Sequence, residues 1–102
     1  MRVRWTDQAF LRLAEIEDFI ARDNPKAGAR MAERIIDRGD ALADQPYLGR
    51  PLPELPGTEL REVIVGNYRI IYRVREDQVE VLTVFEGHRR LPTEDLPEGD
   101  LD

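Results

Sequence analysis

The stretch from Glu62 to Phe85, EVIVGNYRIIYRVREDQVEVLTVF, carries the strongest secondary-structure signal in the chain. Its β-branched and aromatic residues are typical of strands, and short polar breaks at 66–67 and 76–77 interrupt them. Strands joined by only two residues pair as tight antiparallel hairpins. The stretch therefore predicts three consecutive antiparallel strands, over residues 62–65, 68–74 and 78–85.

The turn at Glu76-Asp77 predicts a register for the last two strands. It places Arg73 opposite Glu80 and Arg69 opposite Val84. Alternation then gives the sheet one apolar face, which we expect to pack on helices, and a second face that leaves both arginines open to solvent. The predicted members of the apolar face are Tyr68, Ile70, Tyr72, Val74, Val79, Val81, Thr83 and Phe85.

Two amphipathic helices are predicted before these strands. Thr6-Asp7 supplies a capping hydroxyl and an acid at the positive end of the first helix. Asn24-Pro25 starts the second, because asparagine caps well and proline loses no hydrogen bond at the first helical position. A short connection folds the two into an antiparallel hairpin. Gly39, inside the second helix, indicates either a close approach to a neighbouring element or a tolerated weak point.

The remaining segments complete an α+β architecture. Residues 2–5 alternate as a short strand, and residues 44–57 are rich in proline and glycine, which predicts a rigid connector. The expected fold is a short N-terminal strand and a two-helix hairpin packed on a three- to four-stranded antiparallel sheet. We expect a domain over residues 1–93 and a flexible acidic tail over residues 94–102, which holds five acids and no base.

Composition excludes several classes of function. The net charge is −6, and without the tail the chain is nearly neutral, unlike an obligate nucleic-acid binder. The chain has no cysteine or serine, no glycine-rich phosphate loop and no His/Cys/Asp metal motif, so we expect no metal and no cofactor. No apolar run approaches the ~20 residues that span a bilayer, so we expect a cytoplasmic protein without membrane contact.

The segment 66–74, GNYRIIYRV, resembles the strand signature G-x-Y-R-I-x-Y-x-V of the ParE/RelE toxin superfamily. The segment 87–92, GHRRLP, is similar to the closing segment of its ParE-type members. The order of the motifs and the preceding helical hairpin also agree, so the resemblance covers about residues 1–93. It implies the RelE/ParE-like fold and the toxin component of a type II toxin–antitoxin system, on the ParE branch.

The ParE branch implies a partner-binding poison. By resemblance, the chain would inhibit DNA gyrase without catalysis and serve plasmid stabilization. A cognate ParD-like ribbon-helix-helix antitoxin would neutralise it in a hetero-oligomer and alone contact DNA. The groove beside the helical hairpin would bind partners, together with the side chains of Arg69, Arg73, Arg89 and Arg90.

The alternative is a metal-independent, ribosome-dependent messenger RNA endoribonuclease of the RelE type. By resemblance, its catalytic residues would be Arg69, His88 and Arg89. The two lysines of the ribonuclease type fall at Leu60 and Glu62, however, and its late catalytic tyrosine falls near Asp95. An acid in place of a phosphate-facing lysine repels the substrate. The non-enzymatic function is therefore favoured.

Two residues keep alternative interpretations. His88 has a reference pKa suited to proton transfer, but without a lysine pair or tyrosine beside it we favour a surface position in the turn after the last strand. Arg69 either contacts a target or braces the sheet by pairing with Glu62 or Glu86. A third hypothesis is a relative that retains only antitoxin binding.

Overall fold

Two helices lie on one face of a five-stranded sheet in the computed structural model, which describes residues 1–98. The elements are β1 Arg2–Trp5, α1 Asp7–Ala21, α2 Pro25–Asp40, β2 Arg50–Pro51, β3 Arg61–Val65, β4 Tyr68–Arg75 and β5 Gln78–Glu86. The strand order is β1-β5-β4-β3-β2, antiparallel except for the parallel pair of β1 and β5. The predicted α+β class is confirmed. The sheet exceeds the expected three to four strands because β1 and the short β2 add to its two edges.

Both helices begin where the sequence predicts. Thr6 Oγ1 accepts the backbone N–H of Ala9 at 3.1 Å, and Asn24 Oδ1 accepts that of Ala27 at the same distance. These side chains satisfy amides that a helix leaves free in its first turn. Only three residues separate α1 from α2 and the two helices pack together, so they form the predicted antiparallel hairpin.

A β-bulge in β5 changes the register predicted for the last hairpin. The pairing is as predicted from the turn up to Tyr72. Beyond it, Leu82 is an additional residue in β5, and Arg69 lies opposite Phe85 instead of Val84. Because one extra residue inverts the alternation of side chains, Val84 joins the helix-facing cluster and Phe85 lies on the opposite face, contrary to the prediction.

Each face of the sheet carries its own apolar cluster. The helix-facing cluster joins α1 and α2 to the strands through Ala9, Leu13, Ile35, Ile70, Tyr72, Val79 and Val84. On the other face, leucines from the connector and from the C-terminal segment pack on the sheet. This second cluster contains Leu52, Leu55, Leu60, Ile71, Leu82, Phe85, Leu91 and Leu96. The expectation of an open second face is therefore wrong, because the connector and the C-terminal segment cover the apolar residues of that face.

The folded body extends beyond the boundary expected at residue 93. Thr93–Asp95 forms a 3-10 turn, and Leu96 is buried in the second cluster. The side chain of Asp95 is 1% exposed and hydrogen-bonds to Arg12 of α1. These two side chains connect the first part of the acidic segment to α1 and to the sheet. Residues 99–102 of the expected tail lie outside the described residues.

Gly39 marks a close approach between α2 and β1. A Cβ atom at this position would lie 2.5 Å from Cζ2 of Trp5. The indole Nε1 donates to Asp40 Oδ1 at 3.0 Å, and the ring stacks on Phe10 with centroids 5.9 Å apart. Because the indole is held from both sides, it has little room to retreat. The glycine is therefore explained by contact, the first of the two alternatives left by the sequence.

Substitution Gly39→Ala is expected to lower the free energy of unfolding by about 2 kcal/mol, since overpacking a fixed contact costs 1–3 kcal/mol. This loss would appear although alanine favours a helix over glycine by ~1 kcal/mol. Urea unfolding measures the change. Ala29→Gly, at an exposed position of the same helix, reports the propensity difference alone. A Gly39→Ala variant more stable than the unchanged chain would contradict the contact.

Candidate functional site

The guanidinium of Arg69 is enclosed by the fold. Its Nη1 and Nη2 atoms donate to the two carboxylate oxygens of Glu54, each at 2.7 Å. Its Nε atom donates to Glu62, and the group lies 4.9 Å from the ring centroid of Phe85. Hydrogen bonding to Glu54 raises the pKa of Arg69, and Arg69 in turn lowers the pKa of Glu54. Only 11% of the Arg69 side chain is exposed. Of the two roles considered for Arg69, target contact and bracing of the sheet, this geometry favours bracing.

Glu62 is the buried centre of this arrangement. Its carboxylate is fully enclosed and lies between Arg69 and Arg50, whose Nε donates to the second oxygen. A buried charge is stable only when it is paired and hydrogen-bonded. The other position at which the resemblance places a lysine, Leu60, is buried in the second cluster. Neither position offers a cation to a phosphate.

Arg73 is also engaged inside the structure. Its Nε donates to Glu80 Oε1 at 2.7 Å, and its Nη1 lies 3.6 Å from Glu59. Glu59 also accepts from Arg75 at 2.6 Å, and Glu80 from Arg4 at 3.0 Å. The Arg73 side chain is 13% exposed. Both sheet arginines predicted to bind a partner thus hold acids of their own chain.

Substitution Glu62→Ala is expected to lower the free energy of unfolding by about 3 kcal/mol, because removing one member of a buried ion pair leaves the other charge uncompensated. Guanidinium or urea unfolding measures the loss. Glu15→Ala is the control, since the Arg12–Glu15 pair is solvent-exposed on the glutamate side and such pairs contribute at most ~1 kcal/mol. Equal losses in the two variants would mean that Glu62 is not a central brace.

Asp95 anchors the C-terminal segment at the position near which the resemblance places a catalytic tyrosine. Arg12 donates to its two oxygens at 2.8 and 3.1 Å, and the hydroxyl of Thr83 donates at 2.8 Å. Burial by itself would raise the pKa of Asp95, but hydrogen bonds from Arg12 and Thr83 outweigh it and hold the pKa below its usual value. A carboxylate bound in this way has a structural role and supplies no proton.

The Asp95 anchor is expected to weaken in acid. Because folding lowers its pKa, Asp95 stabilises the fold above its unfolded pKa of about 4, and this contribution is lost as the pH falls through the lower folded value. Unfolding measured at several pH values should show Asp95→Asn less stable than the unchanged chain by a constant amount above pH ~5, with the gap narrowing below ~4. Glu94→Gln is the control: its side chain lies 3.5 Å from the same Arg12 but is 68% exposed, so its gap should be at most ~1 kcal/mol. A gap that widens in acid would refute the anchor.

Residues 88–90, in the turn after β5, are exposed. The side chains of Arg89 and Arg90 form no hydrogen bond or ion pair within residues 1–98. The backbone N–H of His88 donates to Glu86 Oε1 at 3.1 Å, and His88 is exposed in the turn. Of the four arginines predicted to bind a partner, these two are the ones available to an external ligand.

Arg89 and Arg90 border a groove of about 650 Å³ between α1 and the end of β5. Its apolar lining includes Ile16 and Tyr68, and the ring of Phe19 is 60% exposed at its edge. The guanidinium of Arg22 lies 5.9 Å from the centroid of that ring. The resemblance predicts a groove beside the hairpin but does not identify these α1 residues. The sequence did offer a signal for them: Phe19 is a large apolar residue that lies outside the apolar face of α1, where it cannot join the core.

A second concavity, of about 430 Å³, lies on the other side of the β4 start. Arg69 and His88 both border it, together with Arg50 and Ile64. Arg89 borders the first groove instead. The three residues of the ribonuclease alternative are thus divided between two concavities. Within residues 1–98 no three His, Cys, Asp or Glu side chains are grouped to hold a metal.

The family follows from comparison with known proteins. Residues 3–91 match the family model described as ParE toxin of type II toxin-antitoxin system, parDE. The chain belongs to the ParE toxin family. The match covers both helices, strands β2 to β5, most of β1, and the exposed Arg89 and Arg90. The superfamily and branch indicated by the sequence motifs are therefore confirmed.

Two relatives extend this comparison. A protein of Sinorhizobium fredii (strain NBRC 101917 / NGR234), whose name describes it as a toxin, Y4kP, is 43% identical over 93 residues, which are 89% of this chain and 93% of that protein. A solved structure titled "Chromosomal ParDE TA system from P. aeruginosa" is 21% identical, with a TM-score of 0.72 over 84% of this chain and 95% of that one. The second likeness shows the ParE fold. Among residues 1–98 of this ParE-family chain, no helix is long and apolar enough to cross a membrane.

Proposed function

We propose that this ParE-family toxin inhibits DNA gyrase by binding it in the cytoplasm, without catalysis. The observation that carries the proposal is the internal neutralisation of the sheet face. Glu62 and Leu60 occupy the two lysine positions of the ribonuclease type, and Arg69 is held by Glu54 and Glu62. Stabilising the charge that develops on a cleaved phosphate requires cations aimed at it. On this face Arg69 and Arg73 are turned to carboxylates of the chain itself, and Arg50, although exposed, donates its Nε to Glu62.

The groove between α1 and the end of β5 supports the second part of the proposal, neutralisation by a ParD-like antitoxin. A helix with an apolar stripe fits an apolar groove, and acids on that helix would pair with the exposed arginines. Ile16, Phe19 and Tyr68 supply the apolar contact, and the charged contact comes from Arg22, Arg89 and Arg90. The antitoxin would also supply sequence-specific DNA binding and join the toxin in a hetero-oligomer.

Gyrase and the ribosome are separated by two assays on the purified chain. We expect inhibition of plasmid supercoiling by gyrase, and no cleavage when primer extension is run on a translated message. In-frame cuts that disappear in an Arg89→Ala variant, with supercoiling unaffected, would overturn the gyrase proposal in favour of the ribonuclease. If the chain changes neither assay and does not arrest growth on induction, only antitoxin binding remains.

The groove is tested with the antitoxin encoded beside the toxin. Arg89→Gln/Arg90→Gln is expected to weaken antitoxin binding about 100- to 1,000-fold, because each of the two lost charged hydrogen bonds contributes about 1.5–2 kcal/mol and ~1.4 kcal/mol is tenfold in affinity. Isothermal titration calorimetry measures the dissociation constant. The control Arg2→Gln/Arg4→Gln removes the same charge on β1, away from the groove. Equal weakening in both variants would mean that only the net charge of the toxin matters, and it would contradict antitoxin binding in the groove.

A further inference from the structure

Four bases form a line along α2. Lys26, Arg30, Arg34 and Arg38 follow one another at intervals of four residues, which in a helix places successive members ~6 Å apart on one face. The first three are exposed and the fourth is half-buried. None of the four forms a hydrogen bond or ion pair with another side chain in the described part of the chain. This set is called the α2 basic stripe.

The members of the α2 basic stripe repel one another. Like charges four residues apart on a helix repel each other. Glu33 and Asp37 lie on the same helix but form no ion pair with the stripe among residues 1–98. Arg69 and Arg73 of the sheet, by contrast, are each paired with carboxylates. Unmatched bases in a chain with a net charge of −6 indicate an external anion.

The stripe lies at the same end of the molecule as the exposed arginines after β5. The Nη1 atom of Arg34 is 3.9 Å from the position that a Cβ at Gly66 would occupy. The backbone N–H of Gly87 donates to the carbonyl of Asn67 at 2.7 Å, which joins the turn at 66–67 to the one that precedes Arg89. The basic surface therefore continues from α2 across both turns.

The surroundings of the stripe favour a phosphate backbone over a polypeptide. A protein interface needs an apolar centre, yet none of the exposed large apolar side chains of residues 1–98 lies on α2. Contacts to a nucleic-acid backbone are made instead by lysine and arginine with little apolar area. The planar guanidinium matches phosphate oxygens. The apolar groove suits an antitoxin, whereas the stripe offers charge alone.

We propose that the α2 basic stripe binds the phosphodiester backbone of duplex DNA without reading its sequence. This direct contact goes beyond the proposed function and differs from the indirect DNA contact that the resemblance implies. It complements gyrase inhibition, because gyrase holds duplex DNA and a toxin bound beside it would meet that backbone. Counterion release makes such binding weak at physiological salt and strongly dependent on salt concentration.

Fluorescence anisotropy of a labelled random-sequence duplex, titrated with the purified full chain at several salt concentrations, tests the proposal. Four phosphate contacts predict that log K falls with log salt with a slope of about −3 to −4. Lys26→Gln/Arg30→Gln/Arg34→Gln should reduce that slope to about −1 and weaken binding at least about tenfold at low salt. The matched control Arg2→Gln/Arg4→Gln/Arg75→Gln removes equal charge elsewhere. It should retain most of the salt slope and most of the affinity at low salt.

Each contrary result overturns the proposal. Absence of binding at about 25 mM salt, where backbone contacts are strongest, would do so, and so would equal losses in the two triple variants. Tighter binding to duplex RNA would reject DNA as the partner, and equal binding to polyglutamate would reject a phosphate site. Urea unfolding of both variants confirms that they fold. No gyrase is present in this measurement, so gyrase inhibition and DNA binding can each fail while the other holds.

Discussion

A buried carboxylate, that of Glu62, held between Arg50 and Arg69, organises the sheet face that lies away from the helices. A charge in such a place would be prohibitive without partners, so its two arginines and the second carboxylate, Glu54, must be held in place with it. The connector that carries Arg50 and Glu54 is thereby drawn over the sheet, and Phe85 closes the other side of Arg69. The same contacts that stabilise this face turn Arg69 inward, and of the two arginines around Glu62 only Arg50 keeps a largely exposed side chain.

The arginines of this chain divide into two groups with different partners. Arg12, Arg69 and Arg73 are tied to carboxylates of the chain itself and fix the C-terminal segment, the connector and the sheet. Arg22, Arg89 and Arg90 border the groove, and the α2 basic stripe continues the positive surface at the same end. An acidic protein can thus present a basic surface, because internal pairing removes its acids and bases from the surface together.

The two proposed contact surfaces differ in their chemistry. The groove combines apolar side chains with arginines, which suits an amphipathic polypeptide such as an antitoxin helix. The α2 basic stripe offers charge without apolar area, which suits a backbone of phosphates. Since they meet at the turns around Gly66 and Gly87, an antitoxin seated in the groove would lie beside the stripe. In this scheme, occupation of one surface would influence access to the other.

The two capped helices, the three central strands and the family could be predicted from the amino-acid sequence, because capping residues, two-residue turns and the motif around Arg69 are local signals. The register beyond Tyr72, the cover over the second face and the anchoring of Asp95 became evident from the folded structure alone. These features depend on contacts between residues far apart in the chain. The bulge at Leu82 adds one residue to β5, and the alternation of apolar and polar residues does not reveal it. Ion pairing depends on which carboxylate the fold brings next to which arginine. For that reason the sequence could name Arg69 and Arg89 together, while the fold alone made one a brace and left the other free for a partner.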